Sequence, residues 1–461
     1  MKRHENGVLR PGWQAQIEAE GLVYSLTRVG NRDVSYWREA QYYSLTTAET
    51  ELLATAANTL FTMMTAAGDH VIEHNLFDKL GIPAWAVPAI VQTWNDEDAA
   101  DRFAPSVYGR FDLRFGNDPE LVAGDPSLAV PKLLEFNADT PTSLLETAVI
   151  QWNWLLGNNA AQQRDQWNNV YDALVQAWKR NIQLLWKRTG RKVPVIHFAW
   201  SSADDSGEDK FNVLCLADAA TAAGFEAKFL FVEDIQMAQL DRTPEPLNGS
   251  AVKPCRFYDQ DGVDIDVLFK LYPWEQLASD AFGKSVLWNT LQSGRNSVLW
   301  EAYEVEGTVW IEPPYKMLWS NKGILAVLWE LYGDDPAHSK FLLPTYFAGE
   351  EPADFTSYAQ KPFLSREGAN VRLVQDGQVI AELPGSYGSE GQVRQQLALL
   401  PNFIGVDGPH HPVLGVWMVD GEAAGVGIRE SDGLITDNLS FFAPHCIIDD
   451  DTTGSGSDLH T

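Results

Sequence analysis

Cysteines, basic residues and long apolar runs are all scarce in this 461-residue chain. The cysteines are Cys215, Cys255 and Cys446, isolated in sequence and without CxxC spacing. This pattern argues against a disulfide framework or a cysteine-zinc site and favours a reducing compartment. The N-terminal residues lack the apolar core of a signal peptide, and no uninterrupted apolar run reaches the roughly 18 residues needed to span a bilayer. We therefore predict a cytoplasmic protein with no membrane partner.

Positive charge is in the minority, because 34 Lys and Arg stand against 63 Asp and Glu, a formal net charge of -29. Such a balance disfavours nucleic acid as a partner and can concentrate a cationic substrate, although solubility alone explains most of the carboxylates. Apolar residues are abundant at 45%, with 17 Trp and 21 Phe. They are enough for a large core, and the length indicates about three structural units at roughly 150 residues each.

The order of apolar patterns predicts an α+β protein in successive segments. The predicted segments are a mainly helical part with two polar-faced strands (1–190), a small α/β unit (191–276), a region of strands and glycine-containing turns (277–448) and a disordered tail (449–461).

Within these segments, helical spacing over 48–81 predicts helices that end near Gly68 and Gly81. A long helical stretch is predicted from Leu144 to Lys187, and the composition of 241–254 indicates a surface loop. We find no internal repeat.

Two predicted strands carry polar side chains at alternate positions. In "GRFDLRF", Arg110 and Asp112 share one face while Phe111 lies on the other, and "LLEFN" adds Glu135 and Asn137. If the strands are neighbours, these polar groups project into one cleft. Oxygen-only ligation of this kind suits Mg²⁺ and not zinc. The alternative is that both strands turn a polar face to solvent.

A glycine-containing turn follows Lys361 in "KPFLSREGANV" and contains Ser365, Arg366, Glu367 and Gly368. Such a turn, with lysines arriving from separate segments, can cover a polyphosphate with backbone N–H groups and neutralise its charge. This pattern alone is a weak signal.

Other patterns point to different chemistry. "FGKS" (282–285) copies the end of a phosphate-binding loop but lacks the first glycine and follows a predicted helix, so we reject it. "HVIEH" (70–74) matches the inverted zinc hydrolase pattern without an obvious third ligand, and remains a distant alternative. His410 and His411 lie in a Gly/Pro-rich stretch and are predicted to be exposed rather than metal-bound.

The motifs "YGRFDLRF", "LLEFNADTPTSLLE", "LFKLYPWE", "SNKGILAVLWELY", "KPFLSREGANV" and "GVGIRESDGLITD" occur in order and closely resemble the glutathionylspermidine synthase family, in particular its stand-alone acid–amine ligases. The resemblance runs from about Trp13 to Ile448. It implies an ATP-grasp fold, with the nucleotide-binding region at 277–448 preceded by a pre-ATP-grasp α/β unit at 191–276. It also implies a reaction that uses ATP and magnesium to join a carboxylic acid to an amine, for which a polyamine is one candidate.

The resemblance also implies roles for individual residues. Arg110 would contact ATP and the forming acyl phosphate as the catalytic residue. Asp112, Glu135 and Asn137 would hold magnesium. The acid would be held by Thr140, Thr142 and Arg429. The implied ATP contacts are Arg110, Phe111, Asp112, Lys322, Lys361, Glu367, Gly368, Gln395, Gln396, Leu397, Ala398, Val413, Leu434, Ile435 and Thr436.

Two departures from the family limit what is carried over. The additional N-terminal amidase of bifunctional members has no counterpart here, so hydrolysis of the amide product is not expected. Where glutathione-using members have a Cys-His-Thr run, this chain has "TPTSLL", which puts glutathione in doubt as the acid. Leu144 and Leu145 either pack against a less polar acid or begin a helix and face the core.

The resulting hypothesis is an ATP- and Mg²⁺-dependent carboxylate–amine ligase. Two alternatives stay open: an ATP-grasp peptide ligase with a different acceptor, and a non-catalytic nucleotide-binding protein. The complete set of oxygen ligands disfavours the second, because a degenerate sensor has no need of all three.

Overall fold

The computed structural model describes residues 1–5, 9–29, 32–95, 105–158, 164–189, 195–239, 245–247, 250–252, 255–287, 307–437 and 439–448. Helices and strands are mixed along the chain. The described helices are α1 (Trp13–Ala19), α2 (Thr47–Glu73), α3 (Val87–Trp94), α4 (Pro119–Gly124), α5 (Gln151–Gly157), α6 (Val170–Thr189), α7 (Glu208–Ala223), α8 (Trp274–Ser279), α9 (Lys316–Trp319), α10 (Ile324–Tyr332) and α11 (Pro336–Ser339). Short 3₁₀ turns lie at Asp78–Leu80, Pro126–Ala129 and Val232–Asp234, and a π-helix at Glu146–Ile150.

The strands range from three to twelve residues. They are β1 (Lys2–Glu5), β2 (Leu26–Val29), β3 (Arg32–Ser35), β4 (Gln41–Thr46), β5 (Tyr108–Arg114), β6 (Lys132–Asn137), β7 (Val195–Trp200), β8 (Glu226–Phe231), β9 (Gln236–Gln239), β10 (Glu245–Leu247), β11 (Ser250–Val252), β12 (Cys255–Tyr258), β13 (Val267–Leu271), β14 (Val309–Ile311), β15 (Thr345–Phe347), β16 (Tyr358–Pro362), β17 (Arg372–Gln375), β18 (Gln378–Glu382), β19 (Gln392–Gln396), β20 (Phe403–Gly405), β21 (Gly408–Val419), β22 (Glu422–Ser431), β23 (Phe441–Ala443) and β24 (His445–Ile448).

The largest sheet is antiparallel, in the order β23-β22-β21-β5-β6, with β20 also paired to β21. Its strands come from both the first and the third predicted segments. The register of β5 and β6 sets Arg110 opposite Asn137 and Asp112 opposite Glu135. The prediction that these two polar-faced strands are neighbours is therefore confirmed.

The opposite face of β5 forms part of the main core. Phe111, Leu113 and Phe115 are fully buried, and the Phe111 ring stacks on Phe136 with ring centroids 4.0 Å apart. Burial of each such side chain contributes about 1.5–3 kcal/mol to stability. The two-residue period of the strand thus holds the polar set in place on the other side.

A second antiparallel sheet has the order β15-β19-β16-β17-β18. It lies against β6, because the Lys361 ammonium on β16 donates to the Leu134 carbonyl oxygen at 3.0 Å. The space between this sheet and the polar face of β5 and β6 is the cleft described below.

A parallel sheet has the order β14-β13-β7-β8, and α7 connects β7 to β8. A buried ion pair joins this sheet to the end of β6, with Lys270 Nζ 2.9 Å from Asp139 Oδ1. The other Asp139 oxygen accepts from the Trp274 backbone N–H at 2.8 Å. Smaller sheets are β1-β4-β24, β2-β3, β9-β12 and β10-β11.

The helix predicted to end at Gly68 continues to Glu73, so that boundary was wrong. Gly68 is needed for packing rather than for termination, because a Cβ there would lie 2.3 Å from the Trp94 ring. The chain turns instead after Asn75, which has a φ of 53°. The description of the first segment as mainly helical also missed β1 to β4.

The stretch predicted as one helix from Leu144 to Lys187 is interrupted, so that prediction was wrong. After α5 ends, Asp165 pairs with Ile447 and Asn168 with Gly425 in isolated β-bridges, and α6 begins only at Val170. Extended pairing with strands that are remote in sequence overrides the local helical pattern here.

Two further expectations were wrong. The segment 241–254, predicted as a loop, contains the paired strands β10 and β11. His410 and His411 lie in β21 and are 1% and 5% exposed, so they are buried. The predicted tail, 449–461, lies outside the described residues, and no helix among the described residues is long and apolar enough to cross a membrane.

Candidate active site

A cleft between the central and second sheets collects the side chains singled out in the sequence. It encloses about 1210 Å³ of space unfilled by protein, including its open mouth. Of the predicted site residues, those lining it are Arg110, Asp112, Glu135, Asn137, Thr140, Thr142, Lys322, Lys361, Glu367, Gly368, Gln395, Gln396, Leu397, Ala398, Val413, Arg429, Leu434, Ile435 and Thr436. Phe111 is the exception, because its side chain is buried in the core on the other face of β5.

The predicted metal ligands converge at the floor of the cleft. The Asn137 Nδ2 donates to Asp112 Oδ2 and to Glu135 Oε1, each at 3.1 Å. A flip of the Asn137 side-chain amide, which exchanges its nitrogen and oxygen, would place the oxygen beside the Asp112 and Glu135 carboxylates. This donor set, all oxygen and doubly negative, fits a hard divalent cation such as Mg²⁺.

Cations surround the same carboxylates. Arg110 forms a fork on Asp112, with Nε 2.7 Å from Oδ1 and Nη2 3.1 Å from Oδ2. Lys322 Nζ lies 2.9 Å from Glu135 Oε2. Burial acts to raise the pKa of Glu135, but Lys322 and Lys361 outweigh it and lower that pKa to about 2. The chain itself therefore holds Glu135 as an anion.

Lys361 is buried in the cleft to about the same extent as Lys322. Its ammonium donates to the Gln395 side-chain oxygen at 2.7 Å as well as to the Leu134 carbonyl. Burial, with help from nearby Lys322, lowers the pKa of Lys361 to about 8 even though Glu135 opposes the shift. A second anion in the cleft would restore the charged form.

The turn after Lys361 covers the cleft. Glu367 and Gly368 have φ values of 51° and 69°, and a Cβ on Gly368 would lie 2.8 Å from Ile435. Glycine is therefore required at this close approach. The turn is tied down because Lys322 donates to the Ser365 carbonyl, and Arg366 pairs with Glu275 at 3.0 Å.

The turn after β6 contains the hydroxyl residues Thr140, Thr142 and Ser143 and makes polar contacts with several neighbouring elements. Arg366 donates to the Thr140 hydroxyl, and Arg110 donates to the Thr142 carbonyl. The Thr142 side chain also acts to lower the pKa of Glu208. Leu144 and Leu145 are 1% and 5% exposed in a core cluster and do not line the cleft. The alternative that these leucines face the core is therefore confirmed, and contact between them and an acid substrate is not supported.

Glu208 and Asp209, in the first turn of α7, do not line the cleft but interact with the charges of Arg429 and Arg366, which do. Burial raises the pKa of Glu208, with Glu367 adding to the effect and Thr142 and Arg429 opposing it. Burial together with Asp204 and Glu208 raises the pKa of Asp209 to about 7. The only hint in sequence is "DDSGED", which is indistinguishable from a solvated loop.

Sequence reasoning also missed most of the apolar lining, and it treated Arg366 only as part of a turn. The additional apolar residues are Leu134, Pro141, Leu343, Ala359, Val371, Leu373, Leu399 and Leu400. Leu134 faces the cleft because the register shifts at Asp112, where Leu113 pairs with Leu133 and leaves Leu134 as the extra residue of a bulge. A one-residue bulge of this kind has no signature in the local pattern.

The fold and the cleft together define a mixed α/β protein with a charged cleft between two sheets. In overall fold the chain is similar to a glutathione synthetase-like effector of Globodera pallida, with a TM-score of 0.50 and 10% identity over 95% of this chain and 97% of that chain. The chain belongs to the glutathionylspermidine synthase family, since the family model described as "Glutathionylspermidine synthase preATP-grasp" matches residues 4–448.

Named relatives agree with this membership. A Haemophilus influenzae protein called "Putative acid–amine ligase" is 32% identical over 97% of this chain and 100% of its own length. The trypanothione synthetase of Crithidia fasciculata is 27% identical over 73% of this chain and 46% of its own length. The bifunctional glutathionylspermidine synthetase/amidase of Escherichia coli is 24% identical over 95% of this chain and 62% of its own length. The chain is thus an enzyme of the carbon–nitrogen ligase class.

Proposed function

We propose that the chain is an ATP- and Mg²⁺-dependent carboxylate–amine ligase that forms an amide through an acyl phosphate. The observation that carries the proposal is the convergence of Asp112, Glu135 and Asn137 beside Arg110 and Lys322. This arrangement offers oxygen ligands to a cation and guanidinium and ammonium groups to phosphate in one place.

The nucleotide would lie across the second sheet. The apolar side chains of Ala359, Leu373 and Leu434 line the part of the cleft suited to a base. Lys322, Lys361 and the backbone N–H groups of the Ser365–Gly368 turn would neutralise and hold phosphates.

Asp112, Glu135 and Asn137 would hold Mg²⁺, which when bound supplies Lewis acidity and charge neutralisation at phosphate oxygens. The chain's own cations provide the remaining positive field. Arg110 is 5% exposed, so its guanidinium acts where water screens little.

The acid would be held by Arg429 and the Thr140 hydroxyl, both of which line the cleft. One carboxylate oxygen of the acid attacks the terminal phosphorus of ATP, a bond forms there, and ADP leaves. Arg110 stabilises the charge that builds up on the transferred phosphoryl group. The amine then attacks the acyl carbon, inorganic phosphate leaves, and the nitrogen loses a proton.

The amine would approach from the side of Glu208 and Asp209. The charge of Arg429 acts on Glu208, and the charge of Arg366 acts on Asp209. The two carboxylates therefore offset part of the positive charge of these arginines. A cationic amine would find ionic partners there, and Glu208 offers an oxygen to accept the released proton.

The test is a screen of ADP release by the purified chain over pairs of acids and amines, with products read by mass spectrometry. A mass equal to acid plus amine minus water, formed only with ATP and Mg²⁺, is expected for at least one pair. ATP binding without ADP release for any pair would favour a non-catalytic nucleotide-binding protein instead. ADP release with a phosphorylated acid and no condensed product would point to a kinase.

A further inference from the structure

A second group of polar side chains lies outside the cleft, where β1 meets the hairpin of β20 and β21. His410 Nε2 lies 2.8 Å from Asp407 Oδ1, and Glu5 brings a second carboxylate to the same point. The ligand atoms of these three residues all lie within 4.8 Å of one another. None of the three residues lines the cleft, so the group belongs to a different place on the molecule.

His410 is the buried member of this group. It is 1% exposed, and its second ring nitrogen, Nδ1, has no hydrogen-bond partner among the residues that the structure describes. Glu430 Oε1 lies 3.6 Å from that nitrogen, and Asp432 Oδ1 lies 3.7 Å from it. A metal-bound imidazole usually directs its other N–H to a carboxylate, which fixes the ring and its tautomer. The ring of His410 is oriented in this way, with carboxylates beside both nitrogens.

Negative charge is in excess around this imidazole. Arg3 forms a fork on Glu430, with Nε 3.0 Å from Oε2 and Nη2 3.1 Å from Oε1. Arg38 Nε lies 3.2 Å from the same Glu430 Oε1. These two guanidinium groups face the four carboxylates named above. A divalent cation would balance the two remaining charges.

One oxygen of Glu5 is already engaged. The Arg3 Nη1 donates to Glu5 Oε1 at 2.9 Å, and the Val406 backbone N–H donates to the same oxygen at 3.2 Å. Both contacts hold the Glu5 carboxylate against the turn between β20 and β21. Glu5 Oε2 is therefore the oxygen that a cation would use.

Gly405 keeps space open between these ligand atoms. A Cβ at this position would lie 2.5 Å from Glu5 Oε1 and 2.8 Å from His410 Nε2. Residue 405 ends strand β20, so its backbone is extended and accepts any side chain. The close approach of the ligand atoms, and not the backbone conformation, therefore accounts for glycine here.

We propose that Glu5, Asp407 and His410 form a binding site for Zn²⁺ or a chemically similar divalent metal ion, separate from the cleft. Two carboxylate oxygens and one imidazole nitrogen suit Zn²⁺, with water as a further ligand, whereas Mg²⁺ prefers oxygen alone. The Glu5 and Asp407 side chains are 29% and 47% exposed, so an ion can enter from solvent. The bound ion would join β1 to the turn between β20 and β21.

Calorimetric titration of the full chain with Zn²⁺, in a buffer with excess Mg²⁺, tests the site. Wild type should bind one Zn²⁺ per chain, and its Tm should rise on addition of the ion, because a ligand that binds the folded state stabilises it. Glu5→Gln and His410→Gln each remove a ligand and should weaken zinc binding at least about tenfold. Glu5 is accessible to solvent, so its variant serves should His410→Gln fold poorly.

Gly405→Ala leaves all three ligands in the chain and fills the space between them. The atoms that the new methyl group would meet are the ends of the flexible Glu5 and Arg3 side chains and the His410 ring nitrogen. The Glu5 carboxylate can move aside, so the Tm without zinc should stay close to wild type. Zinc binding should weaken at least about tenfold, because the carboxylate then lies away from the imidazole.

Two histidine variants are the controls. His338 forms a pair with Asp335 at 2.5 Å and has the same three-residue spacing as His410 and Asp407. No third ligand joins that pair among the described residues, so His338→Gln should retain wild-type zinc binding. His74→Gln removes a histidine of "HVIEH", where the described residues likewise form no three-ligand group, and should also retain it.

Several outcomes overturn the proposal. Zinc binding that persists unchanged in Glu5→Gln or Gly405→Ala, or that disappears in His74→Gln, would locate the ion elsewhere. Loss of zinc binding in Asp112→Asn would assign it to the cleft. Absence of zinc binding to wild type, with an unchanged Tm, would show that His410 and Asp407 form an ion pair without a metal.

Discussion

The Arg429 guanidinium donates to Asp112 Oδ2 at 3.0 Å, so a side chain proposed to hold the acid is tied to one proposed to hold the metal. Asp112 is already held by the fork of Arg110. A divalent cation on Asp112 would compete for the oxygen that Arg429 uses and release this guanidinium toward the acid. We infer that nucleotide with Mg²⁺ and the acid bind with positive coupling.

The first prediction concerns Arg429. Lysine retains the charge but loses the planar fork that grips a carboxylate at two points. Arg429→Lys should therefore raise the KM for the acid at least about tenfold while leaving the KM for ATP within about threefold, a difference of about 1.4 kcal/mol per factor of ten. Steady-state kinetics measure both constants. Arg372→Lys, in an exposed pair with Glu382, is the control and should change neither. An unchanged acid KM in Arg429→Lys would remove the clamp.

The second prediction concerns the metal ligands. Asp112→Asn and Glu135→Gln each remove a ligand charge with little change in side-chain size, so ADP formation should fall at least about a hundredfold. The far-ultraviolet circular dichroism spectrum should match wild type. Glu382→Gln on the exposed strand β18 is the matched carboxylate control and should retain full activity. If both site variants turn over within about tenfold of wild type, the magnesium assignment fails.

The third prediction is a pH dependence set by Lys361, whose pKa is lowered to about 8 in the empty cleft. A bound polyphosphate favours the charged lysine and raises its pKa, so binding takes up a proton at pH values above 8. The Kd for a non-hydrolysable ATP analogue should therefore rise as pH increases through 8, by up to about tenfold per pH unit. Lys361→Arg stays charged and should give a flat profile from pH 7 to 9. Parallel profiles for the two proteins would contradict the assignment.

The polar faces of β5 and β6 could be predicted from sequence because strand alternation is a local property. Arg110 and Asp112 share a face with period two, and burial of Phe111 on the other face fixes that orientation. Arg110 and Asp112 come close to Glu135 once β5 and β6, which are near each other in sequence, pair. The other site residues could be named only because ordered motifs resemble a known family, since their convergence on the cleft depends on segments that are remote in sequence.

Features that depend on distant pairing could not be predicted. The break before α6 arises because Asn168 pairs with Gly425, and the burial of His410 follows from the length of β21. Glu146, at the start of the π-helix, is buried and accepts hydrogen bonds from Tyr24 and Tyr36 of the N-terminal segment, and the local sequence does not show that this carboxylate is buried. A solvated acidic residue and a buried one look the same in sequence until the packing partner is known.

The last prediction concerns the turn that covers the cleft, Ser365–Gly368, which we expect to be mobile without nucleotide and ordered with it. Its residues are short or polar and bury little apolar surface, so its closed position depends on polar ties. Arg366 supplies two of these, to the Thr140 hydroxyl and to Glu275. Trypsin cleavage after Arg366 should therefore slow when an ATP analogue with Mg²⁺ is added.

Glu275→Gln removes the ionic partner of Arg366 without touching the nucleotide side of the turn. This variant should be cleaved at least about threefold faster than wild type when no ligand is present, because the charged tie is replaced by a weaker neutral one. The analogue should still protect it, since Lys322 and the phosphates hold the turn from the other side. Glu382→Gln, whose arginine partner Arg372 lies away from the turn on β17, is the control and should be cleaved at the wild-type rate. Equal cleavage of wild type with and without the analogue would refute a covering role for the turn, and equal cleavage of wild type and Glu275→Gln would show that the Arg366 to Glu275 pair does not hold it closed.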